Sequence, residues 1–184
     1  MKRVRSFLSA FLFLCGVLSF SLVPWLHRAQ REGFLHKEPF FQCPVVVYSD
    51  RVMIRNDSIG KGRFGATRGS RGQRSHKGLD LLSAEGSPIT ASKCGRVLFA
   101  GIDKGYGWYI EILHPDGRTS RYAHLSRLLA AVGDWVSSGQ RIGICGKSGN
   151  ADEAKIQPHL HFEIRENDIA VDPLRLLDPR IRFI

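Results

Sequence analysis

Apolar residues recur along the chain in short runs broken by glycine, proline and aspartate, and no stretch sustains the 3.6-residue spacing of a long amphipathic helix. The runs VVVYS (45–49), RVLFAG (96–101), WYIEILH (108–114), RTSRYAHL (118–125), RIGIC (141–145), HLHFEIR (159–165) and IAVD (169–172) are rich in β-branched and aromatic residues and read as strands. HPDGR at 114–118 joins two of them, because Asp-Gly suits the backbone angles of a tight reversal. Only SRLLAAVG (126–133) offers one or two helical turns. The chain is therefore expected to be all-β, an antiparallel sheet with minor helical content.

One run carries an unusual pair. His159 and His161 stand two apart within HLHFEIR, so their side chains leave the same face of a strand with Cα atoms about 7 Å apart. A polar surface stripe would explain an arbitrary pair of this kind, so the rest of the chain decides what the pair is for.

The composition narrows the setting. With 184 residues, 43% hydrophobic content and 19 glycines, the chain has room for one turn-rich domain with a core of its own. The formal net charge is +10, and residues 55–77 carry much of it, which suits an acidic polymer or a carboxylate-rich surface as partner, or else a solvated loop. At the N-terminus Lys2, Arg3 and Arg5 precede an uncharged stretch from Phe7 to Val23, the layout of an export signal. Its length lies between a long signal core and a short spanning helix, so residues 1–29 read as a signal peptide or N-terminal membrane anchor. Residues 30–50 then form a tether and 51–184 the domain, which is expected in the periplasm or outside the cell, within the envelope. Cys43, Cys94 and Cys145 show no C-x-x-C spacing for a metal. An oxidising compartment permits one disulfide among them, and Cys94 and Cys145 read as buried thiols in Gly-flanked apolar strands. Trp108 and Trp135 read as core or groove wall, and His27, His36 and His114 as tether or turn residues.

GKGRFG (60–65) matches the G-x-G-x-x-G pattern of dinucleotide sites, but no buried strand precedes it and no helix follows, so the context that gives the pattern its meaning is missing. His76 and Asp80 are four apart. Gly78 between them argues against a helix, and a fully extended strand would hold them about 13 Å apart, so a turn near Gly78 has to bring them together. A catalytic zinc takes three protein ligands from His, Asp or Glu and leaves one position to water. His76, Asp80 and one of His159 or His161 make such a set. His124, in RYAHLS, is a further candidate for proton transfer. No H-E-x-x-H occurs, so histidines would have to replace the usual glutamate base.

Taken in order, His76-x-x-x-Asp80, ASKCGRVLFAG, GYGWYIEILHPDG, YAHL, VGDWVSSGQRIGICGKSG and HLHFEIR, followed by VDPLRLL, resemble the lysostaphin and LytM-type zinc endopeptidases, which cut peptide bonds in bacterial peptidoglycan. The likeness covers about residues 60–177. It implies that His76, Asp80 and His161 bind one zinc ion, that His124 and His159 are catalytic, and that the zinc lies in a groove of the sheet flanked by loops. The expected function is an exported zinc metalloendopeptidase that hydrolyses cross-links or stem peptides of peptidoglycan. Peptidoglycan peptides are then its partners and a monomer its working form. A module of the same fold that binds or regulates the wall without cutting is the alternative, although such modules typically lose part of the histidine set. Nucleic-acid binding through 55–77 would need no zinc and would fall steeply with salt, and export argues against it. Two features depart from the family pattern. NADEAKIQ (150–157), before Pro158, is longer and more acidic than the usual Gly-containing loop, and residues 54–80 are also similar to the non-catalytic vertebrate chemotaxin branch of the fold.

Overall fold

A computed structural model describes residues 37–47, 50–68 and 74–184. The export segment assigned to 1–29, together with His27 and His36, lies outside the described residues. Short ribbons lead into the domain: β1 (Arg51–Val52), β2 (Asn56–Asp57), β3 (Gly60–Lys61), β4 (Thr67–Arg68) and β5 (Arg74–Ser75). Nine strands then build one sheet, namely β6 (Leu79–Leu82), β7 (Pro88–Thr90), β8 (Gly95–Asp103), β9 (Gly107–Leu113), β10 (Thr119–Leu128), β11 (Trp135–Val136), β12 (Arg141–Cys145), β13 (His159–Glu166) and β14 (Ile169–Val171). β15 (Arg182–Phe183) returns to pair with β1. Helical content among the described residues is limited to 3-10 turns at Gly149–Ala151 and Pro173–Arg175 and to Lys37.

The sheet runs β11-β8-β9-β10-β12-β7, and β13 joins it at β10 with β6 and β14 as its other neighbours. Every pairing within it is antiparallel. β10 changes partner along its length: Thr119–Ala123 pair with β13, whereas Leu125–Leu128 pair with β12. Alternation sorts the residues between two faces. Leu79, Leu81, Ile110, Ile112, Tyr122, Leu160, Phe162 and Ile164 point into the core and are fully buried. Each such burial stabilises the fold by about 1.5–3 kcal/mol. Asp80, Arg121, His159, His161 and Glu163 occupy the opposite face by the same register.

Several expectations need correction. VVVYS is not a strand over its described residues, 45–47. The chain there is extended, with Phe41, Cys43 and Val45 in the core, but Pro44 has no N–H to give to a ladder. Instead its carbonyl accepts from Thr90 N at 2.9 Å, and Gln42 N donates to Ser92 O at 2.7 Å. One compact unit runs from Phe40 to Ile184. SRLLAAVG is not helical either. β10 continues to Leu128 because it pairs there with β12, and a turn at 131–134 with Gly133 at φ +93° ends the segment. His114 does stand at the β9–β10 turn, where its carbonyl accepts from Gly117 N at 2.9 Å, but it is buried there and its Nδ1–H donates to Cys94 O at 2.8 Å. Trp108 and Trp135 are 41% and 59% exposed, so neither belongs to the core. Cys43, Cys94 and Cys145 are all buried and no disulfide joins them. Among the described residues no helix is long and apolar enough to cross a membrane.

Candidate metal centre and active-site groove

β6 and β13 lie side by side with Asp80 opposite His161. His76 precedes β6 and is folded back over it by a bend at Gly78. That bend needs glycine, since a Cβ at Gly78 would sit 2.6 Å from Phe162 O and 2.7 Å from His161 Cε1. As a result His76 Nε2, Asp80 Oδ1 and His161 Nδ1 converge: 3.0 Å separates the two nitrogens, 3.0 Å His76 Nε2 from Asp80 Oδ1, and 2.8 Å His161 Nδ1 from Asp80 Oδ1. A tetrahedral zinc with ligands at about 2.0–2.1 Å holds its donor atoms about 3.3 Å apart. These three atoms therefore fit a metal after opening by a few tenths of an ångström, and they come from residues chemically suited to one.

Hydrogen bonds on the far side of each ring set which nitrogen faces inward. His76 Nδ1–H donates to Arg63 O at 2.9 Å, which leaves the Nε2 lone pair free. His161 is turned the other way, with Nε2–H donating to Glu163 Oε1 at 3.1 Å and Nδ1 directed at Asp80. A carboxylate behind a ligating histidine fixes its tautomer and strengthens it as a donor. Glu163 is itself held by Tyr106 Oη–H at 2.9 Å and by Arg165 Nη1 at 2.8 Å. The sequence reading passed over Glu163, although its place two residues after His161 on the same strand face was the available signal.

His159 and His124 complete the cluster. His159 shares the strand face of His161, and its Nε2 lies 3.8 Å from Asp80 Oδ1. His124 stands where β10 changes partner, in a left-handed conformation at φ +62°. Such a backbone costs about 1–3 kcal/mol in a non-glycine residue and persists only where its surroundings enforce it. Here Tyr106 O accepts from His124 N at 2.9 Å and Gly146 N donates to His124 O at 3.0 Å. The His124 ring lies edge-on to His159, with centroids 5.1 Å apart, and 5.7 Å from that of His161. Nδ1–H of His124 donates to Ser148 O at 2.9 Å and Nδ1–H of His159 to Gln157 O at 2.7 Å, so both rings keep a basic Nε2. Burial and the charges of His161 and His159 push His124 down to about 3, and burial also lowers His159. Burial would lower His161 as well, but hydrogen bonds to Asp80 and Glu163 outweigh it and raise the ring to about 9. His124 and His159 are thus neutral at pH 7, whereas His161, between two carboxylates, holds a proton that it must give up to bind a metal.

The cluster opens into a groove of about 770 Å³. Arg68, Arg74 and Lys77 line it, and Asn150, Ala151, Glu153 and Ile156 bring the 150–157 loop to it as well. All five residues singled out from the sequence, His76, Asp80, His124, His159 and His161, line this groove. Part of the basic stretch is internal rather than solvated. Arg55 is buried, and it and Arg68 both donate to Asp80 Oδ2, Arg55 Nη2 at 3.0 Å and Arg68 Nη2 at 2.8 Å.

Comparison with known proteins agrees with this geometry. The chain is 38% identical over 118 residues to the murein hydrolase activator NlpD of Escherichia coli, a match covering 64% of this chain and 28% of that one. It is 38% identical over 106 residues to the DD-carboxypeptidase/endopeptidase Mpg of Neisseria meningitidis, covering 58% and 24%. The uncharacterised lipoprotein YgeR of Escherichia coli matches at 38% over 106 residues, covering 57% and 40%. The chain thus spans well under half the length of these relatives. Among solved structures, a zinc-containing peptidase from Vibrio cholerae superposes with a TM-score of 0.60 at 26% identity, over 73% of this chain and 39% of that one. The catalytic domain of lysostaphin from Staphylococcus simulans gives 0.55 at 30% identity, over 65% and 97%. The profile of peptidase family M23 matches residues 74–173, and the chain belongs to that family.

Proposed function

We propose that the chain is an exported zinc metalloendopeptidase that hydrolyses peptide bonds in the cross-links or stem peptides of peptidoglycan. The observation that carries this reading is the coexistence in one groove of a convergent His76/Asp80/His161 donor set and two neutral histidines with inward-facing Nε2 atoms. His76 Nε2, Asp80 Oδ1 and His161 Nδ1 would hold one zinc ion. When bound, the ion supplies a Lewis acid for the scissile carbonyl and lowers the pKa of a water molecule. His124 and His159 do the proton work: one Nε2 accepts the proton lost by the attacking water and delivers it to the leaving amine nitrogen, and the other, once it has taken up a proton in its turn, can donate to the developing oxyanion. The 150–157 loop, Arg74 and Lys77 then define where the peptide lies, with the cations attracting its carboxylates. Similarity to a lipoprotein and to murein hydrolase activators supports a place in the cell envelope, and the protein is taken to act as a monomer.

The test is to incubate the purified full-length chain, zinc content measured, with peptidoglycan and to identify released fragments by mass. New amino termini are the expected result, abolished by a chelator and restored by zinc. The likeness to NlpD favours a second reading, a non-cutting activator that binds the wall. It predicts wall binding with no new amino termini at any zinc loading.

A further inference from the structure

The glycine-rich stretch 60–65, which mimics a dinucleotide motif, lies against the metal ligand instead. Gly62 N donates to Arg55 O at 2.7 Å, Arg55 N to Asp80 O at 2.9 Å, and Asp80 N to Gly62 O at 2.8 Å, so residues 55–62 are laced to the backbone of Asp80. A Cβ at Gly62 would come within 2.7 Å of Asp80 Cβ, and one at Gly60 within 2.5 Å of Arg68 Nη1. The glycines let the segment lie flat on Asp80 and leave space for the Arg68 guanidinium beneath it. Two arginines then close on the carboxylate oxygen that faces away from the histidines. Arg55 gives Nε at 3.1 Å and Nη2 at 3.0 Å to Asp80 Oδ2, and Arg68 gives Nη2 at 2.8 Å. Arg55 is fixed in turn by Asp57 Oδ1 at 2.7 Å, and Asp57 Oδ2 accepts from Gln157 N at 3.2 Å, whose own carbonyl orients His159. Arg55 and Arg68 both precede the region matched by the family, residues 74–173.

We infer that Arg55 and Arg68 are positioning residues that lock Asp80 as a one-oxygen ligand, with Gly60 and Gly62 as the bed on which this clasp is built. The inference rests on the reading that His76, Asp80 and His161 hold zinc, and on no assumption about substrate. A carboxylate whose Oδ2 accepts three charge-assisted hydrogen bonds cannot rotate to offer both oxygens to a cation. Only Oδ1 is presented, which keeps a position open. Loss of a group that orients a ligand typically lowers metal affinity by about 10–100-fold. Two planar forks also draw charge from the carboxylate more directionally than an ammonium can, so lysine is an imperfect substitute.

The test titrates zinc against a competing chelator and records the visible spectrum of the cobalt-loaded full-length chain. Arg68 is the residue to change, because it is partly exposed at 21% and the fold should survive its loss. Arg68→Gln is expected to bind zinc about tenfold or more weakly and to show dimmer cobalt bands, as Asp80 brings in its second oxygen and coordination rises above tetrahedral. Arg68→Lys should fall between, and Gly62→Ala should mimic Arg68→Gln by displacing Asp80, provided its thermal midpoint shows a folded protein. Arg68→Gln with the affinity and cobalt spectrum of the parent overturns the clasp alone. A parent chain that takes up no zinc overturns the clasp and the proposed function together.

Discussion

His159 and His161 share one strand face, yet their hydrogen bonds point different nitrogens at the groove: Nδ1 of His161 lies 2.8 Å from Asp80 Oδ1, and Nε2 of His159 lies farther off, at 3.8 Å from the same oxygen. Under the proposed function this difference gives them different work, and a direct prediction follows. His161→Ala should lose zinc affinity and activity together. His159→Ala and His124→Ala should keep zinc near one ion per chain while turnover falls by about 100-fold or more, since each removes proton transfer or oxyanion stabilisation. Zinc stoichiometry measured beside turnover separates the cases, and a His159→Ala protein that loses its metal while His161→Ala keeps it would reverse the assignment. Glu163→Gln should weaken zinc binding about 10–100-fold in the same titration, because the amide no longer supplies the charge that holds His161 Nε2–H. At this scale the sequence was informative where spacing fixes direction, as for His159 and His161. It was silent where a role depends on contacts from distant segments, as for Arg55 and Arg68 on Asp80.

The elements that hold these side chains meet at two glycine turns. Gly107 opens β9 at φ +66°, and a Cβ there would lie 2.2 Å from Ser148 Oγ, while one at Gly149, φ +67°, would lie 2.3 Å from Gly107 N. The two turns are pressed together, and Ser148 between them supplies the carbonyl that orients His124. Gly107→Ala is therefore expected to destabilise the fold by more than about 1 kcal/mol and to depress turnover further than it depresses zinc binding, which denaturant melts and metal analysis would reveal. The 150–157 loop, by contrast, lines the groove without touching the donor set through any hydrogen bond to His76, Asp80 or His161. Shortening it should change which wall peptides are cut and leave zinc bound, and an unchanged substrate profile would remove the loop from recognition. Most of the sheet was legible from alternation, with β12 matching its run at both ends. The switch of partner along β10 was not, because a strand's sequence records which face is buried but not which neighbour it pairs with. VVVYS misled for a related reason: its composition is strand-like, but the preceding Pro44 removes a ladder donor.

Across the described residues the core joins Phe41 to Leu177, and beside Phe41 a buried ion pair ties Lys93 to Asp116 at 2.8 Å, each side chain 2% exposed. Burial opposes ionisation of Asp116, but the hydrogen bond from Lys93 outweighs it and holds the carboxyl below its ordinary value. A depressed folded-state pKa means that the pair's contribution is fully present above the ordinary aspartate value of about 3.9 and is lost as pH falls through the folded value. Asp116→Ala should cost about 3–5 kcal/mol at neutral pH, since it strands a buried ammonium, and should flatten this part of the acid dependence of the thermal midpoint. Neither residue was conspicuous in the sequence, where SKCG and HPDG read as turns 23 positions apart. The central claim is that this fold brings a zinc site and two bases together to cut wall peptides. It is tested most directly by digesting cross-linked peptidoglycan with the zinc-loaded chain and with its zinc-loaded His124→Ala variant, and counting new amino termini by mass. New termini from the parent and almost none from the variant, at equal zinc content, is the predicted result; none from either, with both still bound to the wall, would contradict it.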